Sequence, residues 1–279
     1  LSSRQGRDFK AAVEELAGLG YWLDAFLIDA QWFVPQSRRR LFLVGYRHDL
    51  LQPPLVLRLP DADPFDDPWQ SAVHRADLLR PRKLLDAIDA VELSTGWATI
   101  DAGNPVRTIL SLGEFIDVDP DQAWWDADET DRHLEMMFDR HLARIRSFSA
   151  NSVESVVFTG FRRVRDGKQR LEVRFDGVAG CLRTPRGGSA KQVVLVVNRQ
   201  QIRMRWMTPR EYARLQGAGD YTLPSNTIEG LFGFGDAVCV PVIRWIDRNM
   251  LTPVYESFAG VAESAASAPT GHARSILNG

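Results

Sequence analysis

The run Val34-Pro35-Gln36-Ser37-Arg38-Arg39-Arg40 lies between two apolar stretches, Leu23–Ile28 and Leu41–Gly45, that read as strands. Three adjacent guanidiniums must then sit on a tight loop at the end of a buried sheet. An arginine in such a place is costly to bury and requires an anionic or carbonyl partner. The competing reading is a solvated turn that happens to be basic. The Pro-Gln before the triplet and the apolar strand after it favour the first.

The surroundings have an α/β rhythm. Asp8–Leu19 has Phe9, Val13, Leu16 and Ala17 at helical spacing, with Gly20 placed as a C-terminal cap. Tyr21–Ala30 follows as a strand, and Leu41–Tyr46 as its partner. From about 50 to 80 periodicity is lost among Pro53-Pro54, Pro60, Pro64 and Pro68, which predicts a linker or surface excursion. Lys83–Ile88 predicts a short helix, Ile100–Ile116 short strands and turns, and Asp131–Phe148 one helix with a Met137/Phe138 core stripe. Two hairpins are expected: Val156–Val164 with Leu171–Phe175 around Arg165-Asp166-Gly167-Lys168, and Val193–Val197 with Ile202–Trp206. Thr208, with Pro209 after it and Glu211 three residues on, predicts a capped helix Pro209–Leu215. A last helix is expected over Ala237–Leu251, with Val238, Val242, Ile243 and Ile246 inward.

The 279 residues suffice for one large or two small cores, and 44% hydrophobic with 25% charged residues is ordinary globular usage. No apolar run approaches the ~20 residues of a membrane span. The two cysteines, Cys181 and Cys239, form no metal or disulfide pattern, and five histidines show no metal spacing. A reducing intracellular setting is the expectation. The net charge of −2 hides an asymmetry: Phe161–Arg210 holds thirteen Lys/Arg against three Asp/Glu, and Glu114–Asp139 ten Asp/Glu against one Arg. The basic stretch suits a phosphate backbone, or is a solvated hairpin with charged outer faces. The acidic stretch is expected to face away from such a backbone or to meet another protein segment.

Two further blocks stand far downstream of the arginine loop. One is Arg205-Trp206-Met207-Thr208-Pro209-Arg210-Glu211-Tyr212-Ala213-Arg214-Leu215-Gln216-Gly217, the other Gly235-Asp236-Ala237-Val238-Cys239-Val240-Pro241-Val242. In that order the three resemble the last three conserved blocks of the DNA cytosine-5 methyltransferases. The resemblance implies an α/β fold: part of a Rossmann-like, S-adenosylmethionine-dependent sheet domain plus a smaller, mainly β target-recognition domain. It implies methyl transfer from S-adenosylmethionine to carbon 5 of a cytosine flipped out of duplex DNA. It places residues 1–50 at the edge of the catalytic domain and 51–198 in the variable and recognition region. Residues 199–253 then form the junction and final helices, and 254–279 a tail.

By the same resemblance, Arg40 meets the carbonyl oxygen at carbon 2 of the flipped base, Arg38 holds a phosphate or the loop, and Gln36 orders the loop. Arg39 falls at a variable position. Thr208, Pro209, Arg210 and Glu211 are structural, with Arg210 and Glu211 expected in a buried ion-pair network. Gly235, Asp236, Ala237 and Val238 begin the last helix beside the cofactor. Asp236 stands where the family more often has asparagine, and either favours the cofactor's cationic groups or caps a helix. Arg183, Thr184, Arg186, Gly187, Gly188 and Lys191 are expected to meet phosphates and base edges.

The Gly-rich cofactor turn, the Pro-Cys nucleophile and the Glu-Asn-Val block of the family do not occur in this sequence. The chain is therefore expected to be the C-terminal portion of a methyltransferase, inactive alone, whose partners are double-stranded DNA and the enzyme's N-terminal half. That half would supply most of the cofactor site. Neither cysteine is expected to be the nucleophile. The expected setting is prokaryotic, cytoplasmic and nucleoid-associated, in restriction-modification or phage defence. A non-catalytic DNA-recognition or regulatory subunit is the alternative.

Overall fold

The computed structural model describes residues 6–47, 55–58, 68–119, 123–152, 154–185, 190–199 and 201–258. The chain divides into two compact units. The first comprises Leu1–Leu27, Leu41–Asn104 and Trp245–Gly279, the second Ile28–Arg40 and Pro105–Arg244.

The first unit is α/β. Helix α1 (Arg7–Gly18) leads into strand β1 (Tyr21–Asp29) through Gly20, whose φ of 84° and N–H bond to the Ala17 carbonyl close the helix as expected. Strand β2 (Arg39–Arg47) returns beside β1, and β3 (Val56–Arg58) and β4 (Trp97–Thr99) complete a sheet ordered β2-β1-β4-β3. Strand β4 runs parallel to β1 and antiparallel to β3. Phe9, Val13 and Ala17 of α1 cover the sheet together with helices α2 (Pro68–Arg75) and α3 (Arg82–Asp89), and Phe9 stacks on Trp97. Inside, Arg80 donates to Asp24 at 2.6 Å and to Thr99 at 2.7 Å.

Here the reading of 50–80 as an excursion is corrected. Strand β3 and α2 fall within it, and α2 buries Trp69, Ala72 and Val73 at helical spacing behind a Pro68 that suits a first turn. Pro53, Pro54, Pro60 and Pro64 lie outside the described residues. Residues 100–116 contain no strand, only a 3₁₀ turn at Leu112–Phe115.

The second unit is built on an antiparallel sheet ordered β6-β5-β7-β8, from β5 (Val156–Arg165), β6 (Lys168–Arg174), β7 (Gln192–Asn198) and β8 (Gln201–Trp206). Both expected hairpins are present. Asp166 (φ 50°) and Gly167 (φ 74°) give the first its left-handed turn. Strand β7 is buried on both faces. Val194 and Val196 join helices α6 (Pro209–Leu215) and α7 (Thr227–Asp236), while Val193, Leu195 and Val197 join Ile145 of α5 (Asp139–Asn151).

The single helix expected over 131–148 is two, α4 (Ala127–Glu135) and α5. The Met136 carbonyl accepts from Leu171 N–H of β6 at 3.0 Å, so the sheet takes the bond that a continuous helix would need. The last helix is corrected as well. Helix α8 (Val240–Ile246) starts three residues late, Val238 is 55% exposed, Ile243 is also exposed, and a π turn covers Asp247–Leu251. Pro241 has no N–H to give the Ala237 carbonyl, so a helix cannot run through. Helix α7 was not foreseen, because Gly230, Gly233 and Gly235 weaken its helical propensity. Contacts pull it in: a side chain at Gly230 would stand 2.9 Å from Pro209.

Candidate functional site

The site lies wholly within the second unit. Gln36 makes a parallel bridge with Ala179, tied by Ser37 N–H to the Ala179 carbonyl (2.9 Å) and Ala179 N–H to the Pro35 carbonyl (2.8 Å). This extended backbone sends alternate side chains to opposite sides. Gln36, Arg38 and Arg40 therefore share one side, and Arg39 takes the other, where its Nε lies 4.0 Å from Asp29. Asp29 also accepts from Arg38 N–H at 2.7 Å and fixes the turn. Arg39 and Arg40 already belong to β2 and are not part of the loop that the sequence suggested.

All three residues on the shared side reach Cys181–Leu182. Gln36 is fully buried. Its Nε2 donates to the Leu215 carbonyl (2.7 Å), and its Oε1 accepts from Leu182 N–H (3.4 Å). Arg38, 6% exposed, donates to the carbonyls of Leu182 (2.7 Å), Ala237 (2.7 Å) and Gly235 (3.3 Å). Burial, and then the charge of Arg40, lower its pKa. Its guanidinium is consumed by backbone, so of the two roles suggested for it, holding the loop is the one with contacts. Arg40 is exposed; its Nη1 donates to the Arg39 carbonyl (3.0 Å), and its Nη2 lies 3.5 Å from Cys181 Sγ. It is the exposed guanidinium on the loop side, whereas Arg39, also exposed, lies on the other. Cys239 is buried, which pushes its thiol up to about 11, so it stays protonated.

The Gly-Asp-Ala-Val block ends helix α7 and does not begin a helix. Its glycine is needed for close approach, but to the loop: a Cβ on Gly235 would stand 2.4 Å from Thr184 N and 2.5 Å from the Arg183 carbonyl carbon. The Gly235 and Ala237 carbonyls are held by Arg38. Only Asp236 and Val238 remain outward. The side chains of these two residues are what the block leaves exposed.

Of the residues expected to meet DNA, Arg183 is exposed, Thr184 lies against Gly235, and Lys191 Nζ sits 5.9 Å from the Trp206 ring, which Arg162 also covers. Arg186, Gly187 and Gly188 lie outside the described residues.

The Thr-Pro-Arg-Glu block forms the expected capping box: Thr208 N–H donates to Glu211 (2.8 Å) and Glu211 N–H to Thr208 Oγ1 (3.3 Å). Pro209 opens α6. Of the buried ion-pair network expected of Arg210 and Glu211, Glu211 takes part in one and Arg210 does not. Glu211, fully buried, pairs through both oxygens with Arg205 (2.6 and 2.8 Å) and accepts from Asp117 N–H (2.9 Å). Arg210 donates to the carbonyls of Gly219 and Tyr221 (2.9 Å) instead. The acidic stretch meets protein at this point, Asp117 accepting from Arg214 at 2.6 Å.

Sequence reasoning passed over Arg205 and Gln216. Gln216 is buried, with Nε2 donating to the Phe234 carbonyl (2.8 Å) and Oε1 3.5 Å from Gln36 Nε2. Its place at the end of the second block was the available signal. Among the described residues no group of His, Cys, Asp or Glu could hold a metal ion, and no helix is long and apolar enough to cross a membrane.

An α/β unit and a unit built on an antiparallel sheet, with an exposed arginine beside a basic loop, define a protein of mixed architecture that can present a cation to an electron-rich group. The family model for C-5 cytosine-specific DNA methylase matches residues 1–252, and the chain belongs to that family. Members are DNA methyltransferases that use S-adenosylmethionine. The chain is also similar to the orphan methyltransferase M.Rho11sI of Bacillus phage rho11s, 27% identical over 116 residues. That match spans 40% of this chain and 20% of the relative's length.

Proposed function

We propose that this chain is the recognition and arginine-bearing part of a DNA cytosine-5 methyltransferase. It acts with a segment that supplies the cysteine nucleophile, the acid for ring nitrogen 3 and most of the cofactor site. The observation that carries the reading is the division of labour on one side of the Gln36–Arg40 segment: Gln36 and Arg38 are spent on backbone, and Arg40 points outward.

When nucleophilic addition at carbon 6 loads negative charge onto the cytosine ring, part of it resides on the oxygen at carbon 2. A guanidinium already held in position stabilises that charge without reorganising. Arg40 fills this role, Arg38 fixes the loop against which it rests, and Gln36 and Gln216 hold the Leu215–Gln216 end of α6 to the same loop. Bound S-adenosylmethionine supplies the methyl group, and Asp236 and Val238 contribute one edge of its site. Arg183, with the neighbouring Arg186–Lys191 stretch, meets the DNA, and residues 105–244 with 28–40 form the recognition body. The enzyme works where chromosomal DNA is, in a prokaryotic restriction-modification or phage-defence system.

The test is reconstitution: the chain mixed with a complementary N-terminal segment of a C-5 methylase, tritiated S-adenosylmethionine and duplex DNA. Methyl transfer that Arg40→Ala reduces at least about a hundredfold supports the reading. The alternative is a non-catalytic recognition subunit. It requires salt-dependent DNA binding, no methyl transfer with any partner, and an effect of Arg40→Ala on affinity alone.

A further inference from the structure

Helix α5 carries Arg140 and Arg144, both exposed. Cations are unfavourable there on two counts. Arg140 lies in the first turn, at the positive end of the helix dipole, and the two like charges are neighbours at i and i+4. Among the described residues neither makes an ion pair, and nor does the half-buried Arg170 on edge strand β6. All three lie against aromatic rings instead. Arg140 and Arg170 approach the Phe138 ring to 5.7 and 5.1 Å from its centroid, and Arg144 approaches that of Phe175 to 4.4 Å. His141 meets both rings edge-on, at 6.2 and 5.4 Å, so rings and guanidiniums form one cluster. Their charge is felt locally: after burial, Arg140 is the largest cause lowering the His141 pKa, and Arg144 adds to it against the opposing effect of Glu172.

The cluster belongs to the other side of the sheet from the Gln36–Arg40 contacts. Helix α5 packs through Ile145 on Val193, Leu195 and Val197, whereas Leu182 and α7 pack with Val194 and Val196. Successive side chains of β7 point to opposite faces. A guanidinium stacked by its face keeps its N–H edge free for an oxyanion. No large apolar side chain stands exposed on α5 or β6, whereas the centre of a protein interface is apolar. The surface therefore suits a phosphate backbone better than a protein.

We propose that Arg140, Arg144 and Arg170 are a second phosphate-backbone contact, which holds a further segment of duplex DNA without reading its sequence. The inference rests on membership of a DNA-methyltransferase family and not on the role proposed for Arg40. A chain held on two segments passes from one to the other at high effective concentration, without returning to bulk solution.

The experiment loads the full chain onto beads bearing one biotinylated duplex and offers a second, fluorescent duplex of unrelated sequence between about 50 and about 200 mM salt. The wild type should capture the second duplex with a salt slope of about 2.7, roughly 0.9 for each of three phosphates, which is a loss of about fortyfold over this range. Arg140→Ala/Arg144→Ala/Arg170→Ala should stay on the beads and capture at least about tenfold less. Arg140→Glu/Arg144→Glu, which puts an acid where the helix dipole favours one, should do the same with a thermal melt matching the wild type. A wild type that binds the beads and captures no second duplex overturns the second contact alone, as does a triple variant that captures it undiminished. Poly-glutamate that displaces the second duplex at equal charge, and leaves the first bound, assigns the surface to an acidic protein segment and overturns DNA as its partner. A wild type that does not bind the beads overturns the DNA reading and the second contact with it.

Discussion

Arg38 donates to the carbonyl of Ala237 at 2.7 Å, and that carbonyl is free because Pro241, four residues on, has no N–H to offer it. One proline thus supplies the acceptor for an arginine 199 residues earlier. The bond joins the first family block to the third, and through Leu182 to the loop between the hairpins.

Arg38 and Arg40 should separate stability from function. Arg38→Ala strips donors from three carbonyls, two of them close, and should destabilise the fold by about 2–4 kcal/mol. Arg40→Ala removes an exposed group and should change stability by less than about 0.5 kcal/mol. Urea denaturation monitored by tryptophan fluorescence measures both. Equal losses would show that Arg40 is as structural as its neighbour.

Glu211→Ala should be among the most damaging changes. It leaves Arg205 buried without its carboxylate and removes half of the capping box, at a cost of about 3–5 kcal/mol. Arg210→Ala, which frees only two loop carbonyls, should cost about 1 kcal/mol. A smaller loss for Glu211→Ala than for Arg210→Ala in equilibrium unfolding would contradict the assignment.

Gly235→Ala tests the contact between the end of α7 and the loop. The added methyl meets Arg183 and Thr184 backbone and should cost about 1–3 kcal/mol while displacing the loop. DNA affinity should fall with it, whereas Gly233→Ala, with open space around it, should leave affinity unchanged and the helix no weaker.

His133 gives the fold a pH dependence. Burial, then Arg162 and Arg132, lower its pKa to about 4, against 6.5 for a free imidazole. As pH falls, the unfolded chain takes up the proton first. The stabilising effect is therefore complete above about 6.5, is lost progressively towards about 4, and is constant below that. His133→Gln should flatten the slope of unfolding free energy in this window. A slope that survives the substitution would assign it elsewhere, and His141, also lowered by burial, is the next group to replace.

Local chemistry made parts of this structure readable. Thr208, Pro209 and Glu211 specify a helix start within four residues, and Asp166-Gly167 specifies a turn within two. What escaped depends on distant partners. Three glycines hide α7, and two of them, Gly230 and Gly235, are seen to be needed only once Pro209 and the Arg183–Thr184 backbone are found against them. The break between α4 and α5 follows from one bond to Leu171. At the site, the Gln36–Arg40 block was legible as a motif. The division of its arginines was not, because the acceptors of Arg38 lie at 182, 235 and 237. The same holds for Arg205, which lies on β8 while Glu211 lies on α6, so no single periodicity relates them.

Length between Gln36 and Arg40 is a parity condition. Inserting or deleting one residue there would trade places between Arg39 and its neighbours, turning the braced guanidinium to solvent and the outward one towards Asp29. This five-residue stretch therefore admits changes of side chain and none of count.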